Sequence, residues 1–129
     1  MPDFERSTRV AADPEAAFRF LADPSNLPRY VATMVFARPE EGEHLRVAAE
    51  VEGRHEEGEA RFRTAPSQRR IEWGAEDGGK YGGWLQVLEA GDGATVTIHL
   101  HMEHDQDEAE VNRVLDETAG NIERLLDTR

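Results

Sequence analysis

The sequence contains no cysteine, which excludes both a disulfide framework and a zinc site built from thiolates. It also has no apolar run close to the roughly 20 residues that a membrane-spanning helix needs. Its first residues, MPDFERSTRV, lack the charged and then apolar layout of a secretory signal peptide. We therefore expect a cytoplasmic protein without a membrane span.

Basic residues are scarce, since 15 Lys and Arg stand against 27 Asp and Glu, for a net charge of -12. A charge of this sign repels phosphate backbones and anionic lipid, so nucleic acid is not an expected partner. The length of 129 residues is typical of one domain. No internal repeat, low-complexity tract or linker divides it, and we expect a single domain over residues 1–129.

Two Asp-Pro pairs, ten residues apart, stand in the stretch DPEAAFRFLADPSNLPRY. Asp13 can accept hydrogen bonds from the free N–H groups of a first helical turn, and Pro14 loses nothing by lacking an N–H there. The second Asp-Pro pair starts another short helix in the same way, and we expect Pro28 to end it before Tyr30. The sequence predicts two short helices that meet at a corner.

Apolar and polar residues alternate before and after these helices, as they do in half-buried β-strands. The predicted inward-facing residues are Phe4, Arg6, Thr8 and Val10; Leu45, Val47, Ala49 and Val51; Ala60, Phe62 and Thr64; Ile71 and Trp73; and Val96, Ile98, Leu100 and Met102. Short segments rich in turn residues separate the later strands, namely PEEGE, GRHEEGE, APSQ, EDGGK and AGDGA. Neighbouring strands should therefore pair antiparallel as a meander.

The strand KYGGWLQVLEA allows two registers. One turns Tyr81, Gly83, Leu85 and Val87 inward, and the other turns Gly82, Trp84, Gln86 and Leu88 inward. We favour the first.

The segment from Asp105 onward predicts a helix of about 20 residues, because its apolar residues recur at helical spacing. Asp105 and Glu108 form a capping box, and acidic residues crowd the first turn. One stripe is apolar apart from a threonine; its members are Val111, Val114, Leu115, Thr118, Ile122, Leu125 and Leu126. This stripe should cover the dry side of the sheet.

These elements bury their apolar faces if the sheet curls around the C-terminal helix and the two short helices close one end. The stretches VAADPEAAFRFLADPSNLPRY, RRIEWG, LEAGDGATVTI and VLDETAGNIERLLD resemble the helix-grip (SRPBCC) superfamily of START and birch-pollen-allergen-like proteins, in its polyketide cyclase/dehydrase branch. The resemblance spans nearly the whole chain. It implies an α+β fold, in which a curved antiparallel sheet of about seven strands, in β-α-α-β6-α order, wraps around a long C-terminal helix.

The resemblance also implies an apolar cavity between the sheet and the long helix, which takes a hydrophobic small molecule such as a lipid, an aromatic polyketide or a sterol-like compound. Members often carry Trp where Tyr30 stands, so a hydroxyl could lie at the mouth of the cavity. Several inward positions are small, namely Thr8, Ala49, Ala60, Thr64 and Gly83. Large residues of facing strands could fill the space instead, so a hollow and a packed interior remain alternatives. The expected ligand-binding residues are Tyr30, Phe62, Trp73, Tyr81, Leu85, Val114 and Thr118.

Several polar or aromatic side chains on the inward faces could bind a ligand or serve the fold alone. The Thr118 hydroxyl could bond a ligand, or the carbonyl one turn earlier as helical threonine commonly does. Tyr30, Trp73 and Tyr81 could grip an aromatic ligand, or pack as ordinary core. Arg6 could meet an anionic ligand group, although we favour a charge in water with the aliphatic stem packed.

His99 and His101 share one face of a strand, as metal ligands can, with His44 a possible neighbour. That face is the wet one by parity and no third ligand is placed, so we expect neither a metal nor a cofactor. The sequence offers no Ser–His–Asp constellation and no nucleotide-binding glycine pattern. No catalytic residue is assigned.

Three functions remain open. The first is binding of a hydrophobic small molecule by a monomer or homodimer. The second is an aromatase/cyclase-type enzyme acting on a polyketide-like substrate, in which Tyr30, Tyr81 or Arg6 would polarise a carbonyl. The third is a partner-binding module, like the co-chaperone activators that share the implied fold, which would use the acidic outer surface.

Overall fold

The fold combines an antiparallel sheet with three α-helices, and a computed structural model describes it for residues 3–32, 34–51, 54–75, 81–102 and 108–127. Within these ranges the strands are β1 (Asp3–Val10), β2 (Met34–Pro39), β3 (His44–Val51), β4 (Arg54–Ala65), β5 (Arg70–Ala75), β6 (Tyr81–Ala90) and β7 (Gly93–Met102). The helices are α1 (Pro14–Ala22), α2 (Leu27–Tyr30) and α3 (Glu108–Leu126), and short 3-10 helices cover Pro24–Asn26 and Pro66–Gln68. The order of elements is the one expected from the sequence.

The described strands form one sheet in the order β1-β7-β6-β5-β4-β3-β2. Strands β2 to β6 each pair with the next strand along the chain, and β1 pairs with β7, with Phe4 opposite Leu100. A bulge between Met34 and Phe36 shifts the register of β2 against β3. The curved sheet and the C-terminal helix make the helix-grip α+β fold.

Asp13 and Asp23 begin the two predicted helical segments. Asp13 accepts hydrogen bonds from two N–H groups in the first turn of α1, and Asp23 accepts one from the N–H of Ser25. Pro28 does not end the second segment, so this expectation is wrong. It lies in the first turn of α2, where a residue has no helical acceptor for its N–H, and the helix continues to Tyr30.

Burial along β6 confirms the favoured register. Leu85 is 1% exposed and Val87 is fully buried, whereas Leu88 is 50% exposed. The buried inward residues of the neighbouring strands are Phe4, Val10, Leu45, Phe62, Ile71, Val96, Ile98 and Leu100. Strand β3 departs from the predicted alternation, because Ala48 is fully buried although its parity is opposite to that of Leu45, and Val47 is only half-buried. The side chains of Ala49, Val51 and Met102 lie outside the described residues.

Thr64 was expected on the covered face, but it is exposed. Strand β3 begins at His44, which lies opposite Arg61 of β4. Thr64 is therefore beyond the end of β3 and has no strand beside it on that side. The side chain loses cover for this reason, although it keeps the inward orientation of Phe62.

The segment GRHEEGE was expected to be a turn, and this is wrong for most of its length. Strand β4 already begins at Arg54 and pairs with β3 continuously from that point. The ladder with β3 satisfies the backbone N–H and C=O groups, so the segment can be a strand although its side chains are polar. His55, Glu57 and Glu59 are accordingly exposed.

Helix α3 carries the predicted apolar stripe. Its buried members are Val111, Leu115, Thr118, Ile122 and Leu126, while Val114 and Leu125 are half-buried; Ala119, which was not in the predicted stripe, is also buried. The predicted capping box at Asp105 lies outside the described residues. None of the described helices is long and apolar enough to cross a membrane.

A polar seam joins α3 to β1. The Thr8 hydroxyl donates to Glu123 Oε2 at 2.8 Å, and the N–H of Ala11, just after β1, donates to Asp127 Oδ1 at 2.7 Å. Residues 123 and 127 are one turn apart and share a flank of the helix. The seam fixes this flank against the edge of the sheet, and the opposite flank is left for contact with α2 and the turn that follows it.

Candidate functional site

The concave face of the sheet carries a row of residues that runs across four strands. Cross-strand pairing places Phe62 beside Trp73, Trp73 beside Gly83, and Gly83 beside Leu100. The next row along the strands contains Ile71 and Leu85. Three of the residues expected to bind a ligand, Phe62, Trp73 and Leu85, therefore lie on one apolar surface.

Gly83 leaves the space that the Trp73 indole uses. A Cβ atom at residue 83 would lie 2.8 Å from Trp73 Cζ2 and 2.5 Å from the His99 carbonyl oxygen. Both distances are shorter than van der Waals contact, so only glycine fits here without a shift. Trp73 packs against the core but is only half-buried.

Helix α3 brings Val114 and Thr118 to the same flank, one turn apart. Thr118 is only 6% exposed, which is low for a polar side chain. Val114 is half-buried and does not belong to the buried core formed by the described residues. The flank therefore combines a buried hydroxyl with an apolar side chain that is incompletely covered.

The sequence left two roles open for the Thr118 hydroxyl, and the structure places it in a third. Its Oγ1 accepts a hydrogen bond from the N–H of Ala32 at 3.1 Å. One turn along the helix, Asn121 Nδ2 donates to the carbonyl oxygen of Tyr30 at 3.2 Å. Two side chains of α3 thus hold the turn between α2 and β2.

Tyr30 is buried and its hydroxyl donates to the carbonyl oxygen of Leu21 at 2.7 Å. Leu21 lies in the last turn of α1, where carbonyl groups lack helical partners. Burial raises the pKa of the Tyr30 hydroxyl far above its usual value, because the interior penalises a tyrosinate. The side chain therefore joins α1 to α2 as a neutral phenol.

Arg6 is half-buried, with its side chain 34% exposed, and its charge is paired with a largely exposed carboxylate and not free in water, so the expectation holds only in part. Its Nε lies 2.7 Å from Asp116 Oδ1, and its Nη2 donates to Asn112 Oδ1 at 3.1 Å. Both partners are on the flank of α3 that faces β1, away from Thr118. The guanidinium is thereby part of the seam between α3 and β1.

Surface depressions among the described residues include two that lie away from the concave face of the sheet. One is lined by Arg9, Val10, Ala11, Asp92, Gly93 and Asp127, and the other by Glu40, Glu41, His44 and Glu59. Neither contains a residue of the expected ligand-binding set. The backbone of Tyr81 begins β6, and its side chain lies outside the described residues.

Sequence reasoning missed Asn121 and the turn that it holds. A signal was present, because Asn121 follows Thr118 by three residues and therefore shares its flank. The partner atoms are backbone groups of Tyr30 and Ala32, and no sequence pattern marks those. The tertiary contact between α2 and α3 had to be known first.

The histidine pair lies on the convex face, as parity predicts. The His99 ring stacks on Trp84 with centroids 5.2 Å apart, and its Nδ1 lies 3.2 Å from Glu5 Oε1. The Arg70 guanidinium covers the same indole at 4.4 Å. In the part of the chain that is described, no group of three or more His, Asp or Glu residues could hold a metal ion.

Solved structures share this fold. TTHA0849 from Thermus thermophilus is 19% identical with a TM-score of 0.76, and the match covers 98% of this chain and 94% of that one. Ara h 8.0201 is 15% identical with a TM-score of 0.68, over 97% of each chain. The di-domain ARO/CYC StfQ, from the steffimycin biosynthetic pathway, is 20% identical with a TM-score of 0.78, over 96% of this chain and 45% of StfQ. This chain thus spans about half the length of StfQ.

Similarity at these identities shows the fold alone. No curated protein sequence is significantly similar to this chain. A family model described as "Polyketide cyclase / dehydrase and lipid transport" matches residues 1–128. The match extends over nearly the whole sequence, and the chain belongs to the polyketide cyclase/dehydrase and lipid transport family.

Proposed function

We propose that residues 1–129 form a single domain that binds a hydrophobic small molecule between the concave face of the sheet and α3. The ligand is a lipid, an aromatic polyketide or a sterol-like compound, and the protein acts in the cytoplasm as a monomer or homodimer. One observation carries the proposal: apolar side chains on both walls, Trp73 on the sheet and Val114 on α3, are incompletely covered. Uncovered apolar surface beside a buried polar group is typical of ligand pockets.

The chemistry of the walls suits a flat or chain-like apolar molecule. The indole of Trp73 lies over Gly83, and Phe62 is its cross-strand neighbour. Aromatic rings of this kind favour offset stacking and edge-to-face contacts with an aromatic guest. Leu85 forms part of the same surface, and Tyr81 stays in the proposed site as the first residue of β6.

Binding is favoured over catalysis by the state of the polar groups. A cyclase-type mechanism needs an inward group that is free to polarise a carbonyl or move a proton. The O–H of Tyr30 is donated to Leu21, and the guanidinium of Arg6 is paired with Asp116. Both described candidates are thus engaged within the protein.

Val114→Phe tests the proposed site, because the larger side chain would fill the space beside α3 without removing a hydrogen bond. We expect the free energy of unfolding to stay within about 1 kcal/mol of wild type, since an uncovered position can accept the added ring. Binding of Nile red, a neutral apolar dye, should be lost. Urea unfolding and the dye's fluorescence enhancement measure the two effects.

Val111→Phe is the matched control, because it makes the same change one turn earlier at a position that is only 7% exposed. Overpacking at this covered position should cost about 1–3 kcal/mol. The proposal fails if wild-type protein does not bind the dye, or if Val114→Phe binds it as wild type does. Native mass spectrometry of protein from its own host would then identify any retained small molecule.

A further inference from the structure

We infer that the site selects uncharged ligands that carry a hydrogen-bond acceptor, such as a ketone or ester oxygen, and that the Thr118 hydroxyl donates to that acceptor. This inference rests on the proposed function and specifies the chemical class of the ligand. It starts from a donor that the fold leaves unused. The argument concerns the flank of α3 that carries Val114, Thr118 and Asn121.

A threonine hydroxyl has one O–H donor and two acceptor lone pairs. In Thr118 the N–H of Ala32 occupies one lone pair, whereas none of the described residues accepts the hydroxyl proton. The residue is only 6% exposed, so bulk water does not readily replace the missing acceptor. A buried donor without a partner costs free energy, and a ligand acceptor would remove this cost.

The surrounding bonds direct the free proton. The N–H of Ala32 approaches Oγ1 from the turn between α2 and β2, so the directions left open to the hydroxyl proton are those away from that turn. Asn121 Nδ2 donates one of its two protons to the Tyr30 carbonyl oxygen, and Asn121 Oδ1 accepts from Arg124; Asn121 is half-buried, so water can reach its second amide proton more readily than the hydroxyl of Thr118. Thr118 is thus the buried side-chain donor on this flank within the described part of the chain, and Val114 beside it offers apolar contact.

The same residues disfavour an anionic ligand. A carboxylate that enters an apolar site needs a cation or several donors to offset the loss of water. Arg6, the inward-facing cation among the described residues of β1, is paired with Asp116 on the other flank of α3. The net charge of -12 adds repulsion toward any anion. A single neutral hydroxyl suits a neutral acceptor.

Three probes of one shape test the inference: 2-acetylnaphthalene has a ketone, 2-ethylnaphthalene lacks an acceptor, and 2-naphthoate is an anion. With wild-type protein, isothermal titration calorimetry should show the ketone binding about fivefold to tenfold more tightly than the hydrocarbon, which corresponds to one hydrogen bond. The anion should bind more weakly than the ketone by at least about tenfold.

Two variants assign the effect to the hydroxyl. In Thr118→Val the ratio of the ketone affinity to the hydrocarbon affinity should fall to about 1, whereas Thr118→Ser should restore most of it. The ratio is measured within each variant, so a general loss of stability does not imitate the result. If Thr118→Val does not fold, the ratio of the ketone affinity to the hydrocarbon affinity in the wild-type protein still tests the inference.

The two proposals fail in different ways. If none of the three probes binds, the concave face is not a ligand site and both proposals are wrong. If the ketone and the hydrocarbon bind equally, or if the anion binds best, the proposed function stands and this inference is wrong. A ratio unchanged in Thr118→Val would also overturn it.

Discussion

Gly83 and Gly120 are two glycines in opposite surroundings. A side chain at residue 83 would meet the Trp73 ring and the backbone oxygen of His99 at less than 3 Å. A Cβ at residue 120, in the interior of α3, would meet nothing within 4 Å. The first glycine is required by packing, and the second only adds flexibility to a helix.

The two glycines should respond in opposite directions to substitution by alanine. Gly83→Ala should lower the free energy of unfolding by about 1–3 kcal/mol, since a backbone oxygen cannot move aside as a flexible side chain can. Gly120→Ala should raise it by about 0.5–1 kcal/mol, because alanine favours the helix. Urea unfolding measures the free energy of unfolding of both variants. If Gly83→Ala leaves that free energy unchanged, the Trp73 indole does not need the space at residue 83.

At the scale of single residues, the sequence predicts which face a side chain occupies better than it predicts its partner. Alternation alone turns Phe62, Trp73 and Leu85 to one side, and the structure agrees. The acceptor of the Tyr30 hydroxyl is a backbone oxygen of α1, which becomes accessible only through the angle between two helices. Local patterns contain no information on such an angle.

At the scale of elements, the β3–β4 hairpin shows why polar composition misleads. The segment GRHEEGE is rich in charge and glycine and therefore predicts a turn. In the structure, continuous backbone pairing extends to Val51 and Arg54, and the polar side chains of His55, Glu57 and Glu59 are exposed. Non-local pairing overrides local propensity here, as is common for strands.

This hairpin also contains a histidine with two acidic neighbours. His55 Nε2 lies 3.1 Å from Glu57 Oε2, and its Nδ1 lies 3.7 Å from Glu50 Oε2. The hydrogen bond to Glu57 is the largest cause that raises the pKa of His55 above 6.5, and Glu50 adds to it. Since the pKa is raised in the folded state, the stabilisation is complete below about pH 6.5 and is lost as the pH rises through the folded value.

We expect NMR titration to give His55 a pKa above that of a histidine in an unfolded peptide. Glu57→Gln should lower this pKa more than Glu50→Gln does, because the bond to Glu57 is the shorter one. Glu43→Gln, which removes a partner of Arg63, is the control and should leave the His55 titration unchanged. Equal effects of all three variants would mean that general surface charge, rather than the two neighbours, sets the pKa.

Helix boundaries show a similar division between local and non-local information. Asp13 and Asp23 mark helix starts that the structure confirms, because capping is a local interaction. Pro28 was misread as a stop, since the sequence does not show that a new α-helix begins one residue earlier, at Leu27. A proline can belong to the first turn of one helix or follow the end of another, and only the preceding backbone distinguishes the two.

At the scale of the whole molecule, the curvature that joins the two walls of the proposed site is not encoded in any one segment. The seam of Arg6 with Asp116 and of Thr8 with Glu123 fixes one flank of α3 to β1. The bonds of Thr118 and Asn121 fix the other flank to the turn after α2. The family resemblance predicted that the sheet wraps around the C-terminal helix, whereas these side-chain bonds on the two flanks were predicted neither by the resemblance nor by residue patterns.

The excess of acidic residues leads to a prediction about salt. Fifteen basic residues cannot pair with 27 acidic ones, so the folded chain concentrates like charge that the expanded unfolded chain spreads out. Screening this repulsion should stabilise the fold by on the order of a few kcal/mol between about 10 mM and about 300 mM NaCl. The exposed ion pairs, such as Arg63 with Glu43, oppose this trend weakly, since each is worth roughly 0–1 kcal/mol.

We therefore expect the melting temperature at pH 7 to rise by roughly 5 °C or more over that salt range, measured by circular dichroism. Near pH 5, close to the isoelectric point of about 4.8, the net charge is small and the rise in melting temperature should largely disappear. Salting-out does not depend on the net charge, so a rise caused by salting-out would persist at this pH. KCl should act as NaCl does, because screening depends on ionic strength and not on a bound ion.

A melting temperature that falls with salt at pH 7 would mean that the ion pairs outweigh the repulsion. Asp116→Asn, which removes the charge that Arg6 faces in the seam, should then abolish part of that fall.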